Sequence, residues 1–414
     1  MKKIIALLLA CMMVVGMFAA CGGGNEAAEA PAEGPEAITL KVWAPQADQV
    51  DETCWLPTML AKFEEAHPEY TITWDIGVCG EGDAAGIVKN DPAAAADVFL
   101  YANDQMGTLI EAGALAKLGG SYLEQVQNDV AQTYIDTVTY TDGGVYGFPM
   151  APNTWFMWYN KDVFSEDDIK NLNTMLEKGV VSFPMDNSWY TGTFFFGVGG
   201  TVFGPQGIDA AAGIDFSSDL CVEAAKFMID LAANPNFIND VDGVGVAGMK
   251  DGSISAMFSG PWDRPALEES LGDKLGCAVL PTFTMNGTDY QMKSFAGSKA
   301  IGVNPNAKFP KAAMQLAAFL ASAEGQLARY NLSAITPAAT ACAEDEAVKS
   351  NFVVVTESAE MATATIAQPT IAQMASFWDP VKNFGLNILN GSITYDNVEE
   401  MLDATMELLN STGL

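Results

Sequence analysis

Ile38-Thr39-Leu40-Lys41-Val42-Trp43 alternates apolar and polar side chains, the two-residue period of a strand with two different faces. Working outward, Leu56, Met59, Leu60 and Phe63 recur at helical spacing, and Ile72, Trp74 and Ile76 alternate again. Val98-Phe99-Leu100-Tyr101 is a short run of the buried type, ahead of a helix opened by Asn103 or Asp104 and closed by Gly113. Strands separated by helices predict a parallel sheet with right-handed crossovers. Ligands bind beyond the carboxyl ends of such strands, which is where Trp43 to Gln46, Cys79 to Glu81 and Tyr101 to Asp104 fall.

The alternation continues without an internal repeat. Leu220 to Ala233, Lys311 to Ala323 and Val398 to Leu409 read as amphipathic helices, and Ala278 to Leu280 and Ala300 to Val303 as short strands. Gly192, Gly197, Gly199 and Gly200 crowd a Phe-rich stretch, which suggests close backbone packing and not a phosphate cradle. The length from Ile38 onward exceeds the usual limit for one hydrophobic core, so two lobes are expected.

At the start of the chain, Lys2 and Lys3 precede an apolar run from Ile4 to Phe18 that is short for a membrane span. Residues 1–20 therefore read as a cleaved secretion signal. Phe18-Ala19-Ala20-Cys21 resembles the bacterial lipobox, with Phe18 in place of the usual leucine, and this implies a mature N-terminus lipidated at Cys21. Residues 21–37 are mostly Gly, Ala, Glu and Pro with no aromatic residue, the composition of a flexible tether. A soluble body held on the outer face of the cytoplasmic membrane is the expectation.

Charge narrows the partners. The formal net charge is −32, and two of the 20 basic residues lie in the leader. Such a surface repels nucleic acid and favours neutral or cationic ligands. His67, the one histidine, sits at a polar helix exit, so neither a multi-histidine metal site nor a histidine-based triad is expected. A nucleophile elbow, a P-loop and a dinucleotide fingerprint are all missing. Asp240-Val241-Asp242-Gly243 lacks the further spaced oxygens of a calcium loop and reads as a turn. No cofactor is implied. Carboxylate pairs suited to glycoside hydrolysis remain available among 52 acidic residues, so a secreted glycosidase stays as a rival class.

Of seven cysteines, Cys11 lies in the leader and Cys21 at the lipidation site; Cys54, Cys79, Cys221, Cys277 and Cys342 remain, an odd number with no zinc spacing. Sequence alone leaves their pairing open. Cys54 starts the helix after the first strand and Cys79 ends the second strand, so a Cys54–Cys79 disulfide is possible.

Three of the 8 tryptophans lie beside turn or polar residues: Asn187-Ser188-Trp189-Tyr190, Ser259-Gly260-Pro261-Trp262-Asp263 and Ser376-Phe377-Trp378-Asp379. An indole placed this way offers a flat apolar face to a sugar ring while polar neighbours reach its hydroxyls. Trp74, Trp155 and Trp158, in apolar stretches, read as core.

Tyr146 to Ala151, Trp158-Tyr159-Asn160-Lys161-Asp162, Ala256 to Trp262, Leu280 to Phe283 and Gln373 to Trp378 together resemble the maltose-binding protein family, the solute-binding components of oligosaccharide ABC importers. The resemblance runs from about Ile38 to the C-terminus. It implies an α/β, two-lobed periplasmic-binding-protein fold of type II, whose lobes are joined by a multi-crossing hinge with the ligand cleft between them. One lobe would take residues 38–150 and 300–349, the other 151–299 and 350–414, with crossings near Met150-Ala151 and Phe295-Ala296-Gly297.

The resemblance also assigns roles. Trp262 and Trp378 fall on sugar-stacking tryptophans, Tyr101 on the aromatic of the first lobe, and Asp104 on the carboxylate of the same loop. Trp189 stands for a stacking tyrosine, or Tyr190 if the register shifts by one, and Asp48 matches a first polar contact. Gln105 replaces a basic residue, and Asn153 and Asn187 replace glutamates, which keeps hydrogen-bonding capacity but changes charge and reach. The function implied is capture of malto-oligosaccharides, or a similar oligosaccharide, by a monomeric non-enzymatic lipoprotein that delivers them to ABC permease subunits. A surface adhesin or sensor with the same cleft is a further rival.

Overall fold

The computed structural model describes residues 34–411 apart from Asp242. The leader, Cys21 and most of the expected tether lie outside the described residues. The tether's last two residues belong to the fold: the first strand runs Glu36–Ala44 and pairs Glu36 with Tyr70 and Ala37 with Thr71.

The first sheet grows from the predicted alternation. Glu36–Ala44 lies parallel to Tyr70–Val78 on one side and to Val98–Ala102 on the other. Helix Trp55–Ala66 links the first two strands and buries Trp55, Leu56, Met59, Leu60 and Phe63, the stripe its spacing predicts. Full burial of each such side chain stabilises by about 1.5–3 kcal/mol. His67 caps the helix, with Nδ1 2.9 Å from Glu69 Oε1. Trp74, expected in the core, is half-buried on the outermost strand, where its indole N–H donates to Glu64.

The sheet is mixed, not wholly parallel. Strand Ser294–Val303 runs antiparallel to Val98–Ala102, and Phe148–Asn153 runs antiparallel to Ser294–Val303. Phe148–Asn153 is the last strand before the chain enters the second sheet, and Ser294–Val303 is the strand on which it comes back, so the two meet as neighbours running in opposite directions. The second sheet contains Phe156–Asn160, Val181–Phe183, Phe237–Asn239, Ala256–Ser259 and Leu275–Ala278. The strand expected over Ala278 to Leu280 thus sits earlier, and the helix expected over Lys311 to Ala323 is Pro310–Leu320, followed by a separate helix Ala323–Ser333.

Two cores follow from the two sheets. One joins Ile38 to Met150 with Ala300 to Ala338; the other joins Trp155 to Phe295 with Ala364 to Leu409. A smaller cluster around Trp158 and Met257 covers the opposite face of the second sheet. Ser294–Val303 contributes to both, with Phe295 in one core and Ala300, Ile301 and Val303 in the other. No helix among the described residues is long and apolar enough to cross a membrane.

Where the chain passes between the sheets, buried polar groups meet. Thr154 Oγ1 lies 2.7 Å from Ser294 Oγ, and Ser294 Oγ donates to Glu360 Oε1 at 2.9 Å. Leu280 N donates to Glu360 Oε2 at 2.9 Å. Three separate stretches of chain are thus joined at one carboxyl group.

The expected Cys54–Cys79 disulfide does not form. All five described cysteines are free thiols. Cys54 is the N-cap residue of helix Trp55–Ala66, with its sulfur turned toward Asp51, whereas the Cys79 sulfur turns inward onto Gly80 O. The two side chains leave their backbones toward different partners.

Candidate functional site

Short turns fix the aromatic residues. Asn187 caps helix Ser188–Thr191, its side-chain oxygen accepting from Trp189 N at 3.1 Å. That cap decides the register. Trp189 turns outward and is half-buried, while Tyr190 is buried and packs on Trp155 with ring centroids 4.7 Å apart. Burial pushes the Tyr190 phenol above its ordinary range. The alternative with Tyr190 as the cleft aromatic is therefore corrected, and Asn187 is occupied as a cap.

Trp262 sits in the turn Pro261–Asp263 directly after strand Ala256–Ser259. Its indole folds back over Gly260, where a Cβ would come within 1.9 Å of the ring, so only glycine fits. Trp158 Nε1 donates to Gly260 O at 3.1 Å, and Ser259 Oγ donates to Asp263, pinning the turn on both sides. The Trp262 ring stacks on Trp189 at 5.8 Å and 29°, yet it remains 46 % exposed. The indole thus presents an open flat face backed by a second ring.

Trp378 begins helix Trp378–Leu389 and is held edge-on by Phe377 at 5.2 Å and Phe295 at 6.2 Å. It lines a cavity of about 490 Å³ together with Gly82, Asp83, Asp104 and Gln105. Asp104 lies in the turn Asn103–Gln105 at the carboxyl end of Val98–Ala102. Desolvation at the cavity wall pushes its carboxyl up to about 6, opposed by its own backbone N–H. Gln105 is committed to structure: Ala85 N donates to Oε1 at 2.6 Å and Nε2 donates to Gly82 O.

Two expected site residues lie elsewhere. Tyr101 is fully buried; its hydroxyl donates to Tyr146 O at 3.2 Å and its ring packs 6.4 Å from Phe99. Every residue of its strand is buried, and the Tyr101 ring belongs to the first core, not to the cleft. Asp48 is 2 % exposed and both its oxygens are taken by Arg329, at 3.2 and 2.7 Å. Each oxygen keeps a second lone pair, but burial closes it to a sugar hydroxyl.

Asn153 ends strand Phe148–Asn153, half-buried and paired with Gly297. Beside it are Asn103, placed at the ligand edge by the sequence but given no role there, and Gln368, which sequence reasoning missed. Asn103 and Gln368 both close on Gly297, where a Cβ would stand 2.0 Å from Gln368 Oε1 and 2.8 Å from Asn103 Oδ1. Asn103 Nδ2 and Gln368 Oε1 are buried without a protein partner among the described residues. Buried polar atoms of this kind ordinarily hold water or ligand. Arg329 was also missed, although it is one of only two arginines in the chain. No group of side chains able to hold a metal ion occurs among the described residues.

The structure thus brings together Trp189 with Trp262, and Asp104 with Trp378, each pair at strand ends or helix starts. The second pair joins one lobe to the other. This is the arrangement of a solute-binding protein, with its ligand space between two α/β lobes.

The chain belongs to the bacterial extracellular solute-binding protein family, whose profile matches residues 58–354. A structure solved with acarbose is 43 % identical, with a TM-score of 0.85 over 92 % of this chain and 100 % of that one. A maltodextrin-binding protein from L. casei BL23, solved without ligand, is 26 % identical with a TM-score of 0.83 over 90 % and 99 %. The maltooligosaccharide ABC transporter solute-binding lipoprotein of Streptococcus pneumoniae is 28 % identical over 75 % of this chain and 76 % of its own. A galactooligosaccharide-binding protein of Bacillus subtilis is 26 % identical over 92 % and 91 %.

Proposed function

We propose that this protein captures malto-oligosaccharides in the cleft between its lobes and hands them, intact, to the permease subunits of an ABC importer. The observation that carries the reading is the cavity in which Trp378 of one lobe and Asp104 of the other share a wall. A glucose ring lies with its C–H face on the indole while the carboxylate accepts a hydroxyl hydrogen. Trp262, backed by Trp189, supplies a second flat surface for a further ring, and Asn153 lies at the crossing between lobes.

Ligand contacts to both lobes would stabilise a closed form, with bending at the crossings near Met150-Ala151 and Phe295-Ala296-Gly297. Cys21, after its leader, carries the lipid that holds the monomer at the outer face of the cytoplasmic membrane. The names and bound ligands of the relatives support this reading.

Calorimetric titration with maltose, maltotriose, maltotetraose and a galacto-oligosaccharide tests it. Exothermic, saturable binding of the α-1,4-linked glucans without release of glucose is expected. Binding of the galacto-oligosaccharide alone would move the substrate class, and glucose release would make the protein a hydrolase. For the anchor, Cys21→Ala should leave the protein soluble; mutant protein in the membrane fraction, with no lipid on the wild type by mass spectrometry, would contradict it.

A further inference from the structure

Arg329 projects from helix Ala323–Ser333 and is 3 % exposed. Its Nε and Nη2 grip Asp48, Nη2 also donates to Glu81 Oε1 at 2.9 Å, and the guanidinium carbon lies 5.2 Å from the Trp55 ring centre. The two carboxylates come from different turns: Gln46–Asp48 follows strand Glu36–Ala44, and Glu81–Asp83 follows strand Tyr70–Val78. Both turns lie beyond the carboxyl ends of neighbouring parallel strands, the edge where the cleft opens.

From Glu81 the connection continues to the cavity wall. The next residue, Gly82, lines the cavity and accepts a hydrogen bond from Gln105 Nε2, while Gln105 Oε1 takes Ala85 N. Gln105 is the neighbour of Asp104 in one short turn. A planar guanidinium gripping two carboxylates fixes direction as well as distance, which an ammonium does not.

Stability alone is a poor account of this cluster. Buried ion pairs are weak stabilisers because desolvation offsets their attraction. Here, moreover, Arg329 Nη1 is buried without a protein partner among the described residues. Burial would raise the Glu81 carboxyl, but Lys299 and Arg329 together hold it below its ordinary value, so it stays charged for the grip.

We propose that Arg329 is a positioning residue for ligand capture: by clamping Asp48 and Glu81 it fixes the turns that set Gly82, Gln105 and Asp104 against Trp378. This role rests on the ligand-binding reading of that cavity. Asp48, in consequence, serves the cleft through Arg329 and not through sugar.

The test compares Arg329→Met, Arg329→Lys and Glu81→Gln with Leu316→Ala, a core change on helix Pro310–Leu320. Maltotetraose affinity, melting temperature and amide hydrogen exchange over residues 80–85 and 103–106 are measured on each. Arg329→Met should bind at least about tenfold more weakly, Arg329→Lys should fall between it and wild type, and Leu316→Ala should melt early with wild-type affinity.

Faster exchange over both segments is expected in Arg329→Met and not in Leu316→Ala. Wild-type affinity in Arg329→Met, or affinity lost in Leu316→Ala in step with its melting temperature, would overturn the proposal. Should Arg329→Met fail to fold, unchanged affinity in Glu81→Gln would do so. If the wild type binds no maltodextrin, the ligand reading falls, and unchanged exchange in the Arg329 or Glu81 variants then rejects the clamp itself.

Discussion

The indoles of Trp189 and Trp262 stack at 5.8 Å, although 73 residues separate them in sequence and each is held by its own turn. Asn187 orients the first and Gly260 makes room for the second. The pair leaves nearly half of Trp262 open.

Trp262→Ala and Trp378→Ala should each weaken maltodextrin binding while barely moving the melting temperature. Flat-ring stacking is worth about 1–3 kcal/mol, which corresponds to roughly five- to more than a hundred-fold in affinity. Trp155→Ala should behave in the opposite sense, because its ring is fully buried against Phe183 and Tyr190. A core deletion of that size costs about 3–5 kcal/mol. Early melting with full binding in the Trp262 and Trp378 variants would assign those rings to the core.

With Asp104 among the ligand contacts, binding should depend on pH. Its carboxyl, raised to about 6, accepts hydrogen bonds from sugar hydroxyls more strongly once ionised. Affinity is therefore expected to climb as pH rises from 5 to 7 and then level off. Asp104→Asn should bind more weakly at pH 7 and lose the slope. A flat wild-type profile measured by calorimetry over that range would exclude Asp104 from the contacts.

Stability should have the reverse pH dependence at the crossing between lobes. Burial raises Glu360 to about 8 and Glu357 to about 7, against about 4.3 for an unfolded glutamate. Between those values the native state binds protons that the unfolded state has released, so stability falls as pH rises from about 5 to 8. Glu360→Gln can still accept from Leu280 N and donate to Ser294 Oγ, and it should flatten the decline. Melting curves at pH 5, 6.5 and 8 check this, and a melting temperature that rises over the range would contradict it.

Thiol chemistry should show five unpaired cysteines in the folded part. A reductant is expected to leave the melting temperature unchanged, and a thiol reagent to modify Cys54 first. Cys277 is also half-exposed, but burial of its sulfur pushes the thiol up to about 12, which suppresses the reactive thiolate. Peptide mapping that finds Cys54 joined to Cys79 would contradict the structure.

Much of the frame was legible because it depends on local periodicity. The stripe of helix Trp55–Ala66 and the strand Glu36–Ala44 follow directly from residue spacing. Tyr101 was misplaced because strand Val98–Ala102 is buried on both faces and carries no alternation to show which way a side chain points. Asp48 misled for another reason: its partner is 281 residues away, and nothing local marks a carboxylate as already paired. The choice between Trp189 and Tyr190 turned on a single cap at Asn187, finer than any periodicity. The junction of Thr154, Ser294 and Glu360 draws on three distant stretches of chain, so it becomes visible only in three dimensions.

A crystal structure of the protein with maltotetraose tests the central claim most directly. The account predicts the glucan between the lobes, one ring on Trp378 with a hydroxyl at Asp104, a further ring on Trp262, and Tyr101 and Asp48 out of contact. A glucan bound away from both indoles, or a closed liganded form in which Trp262 and Trp378 touch only protein, would contradict it.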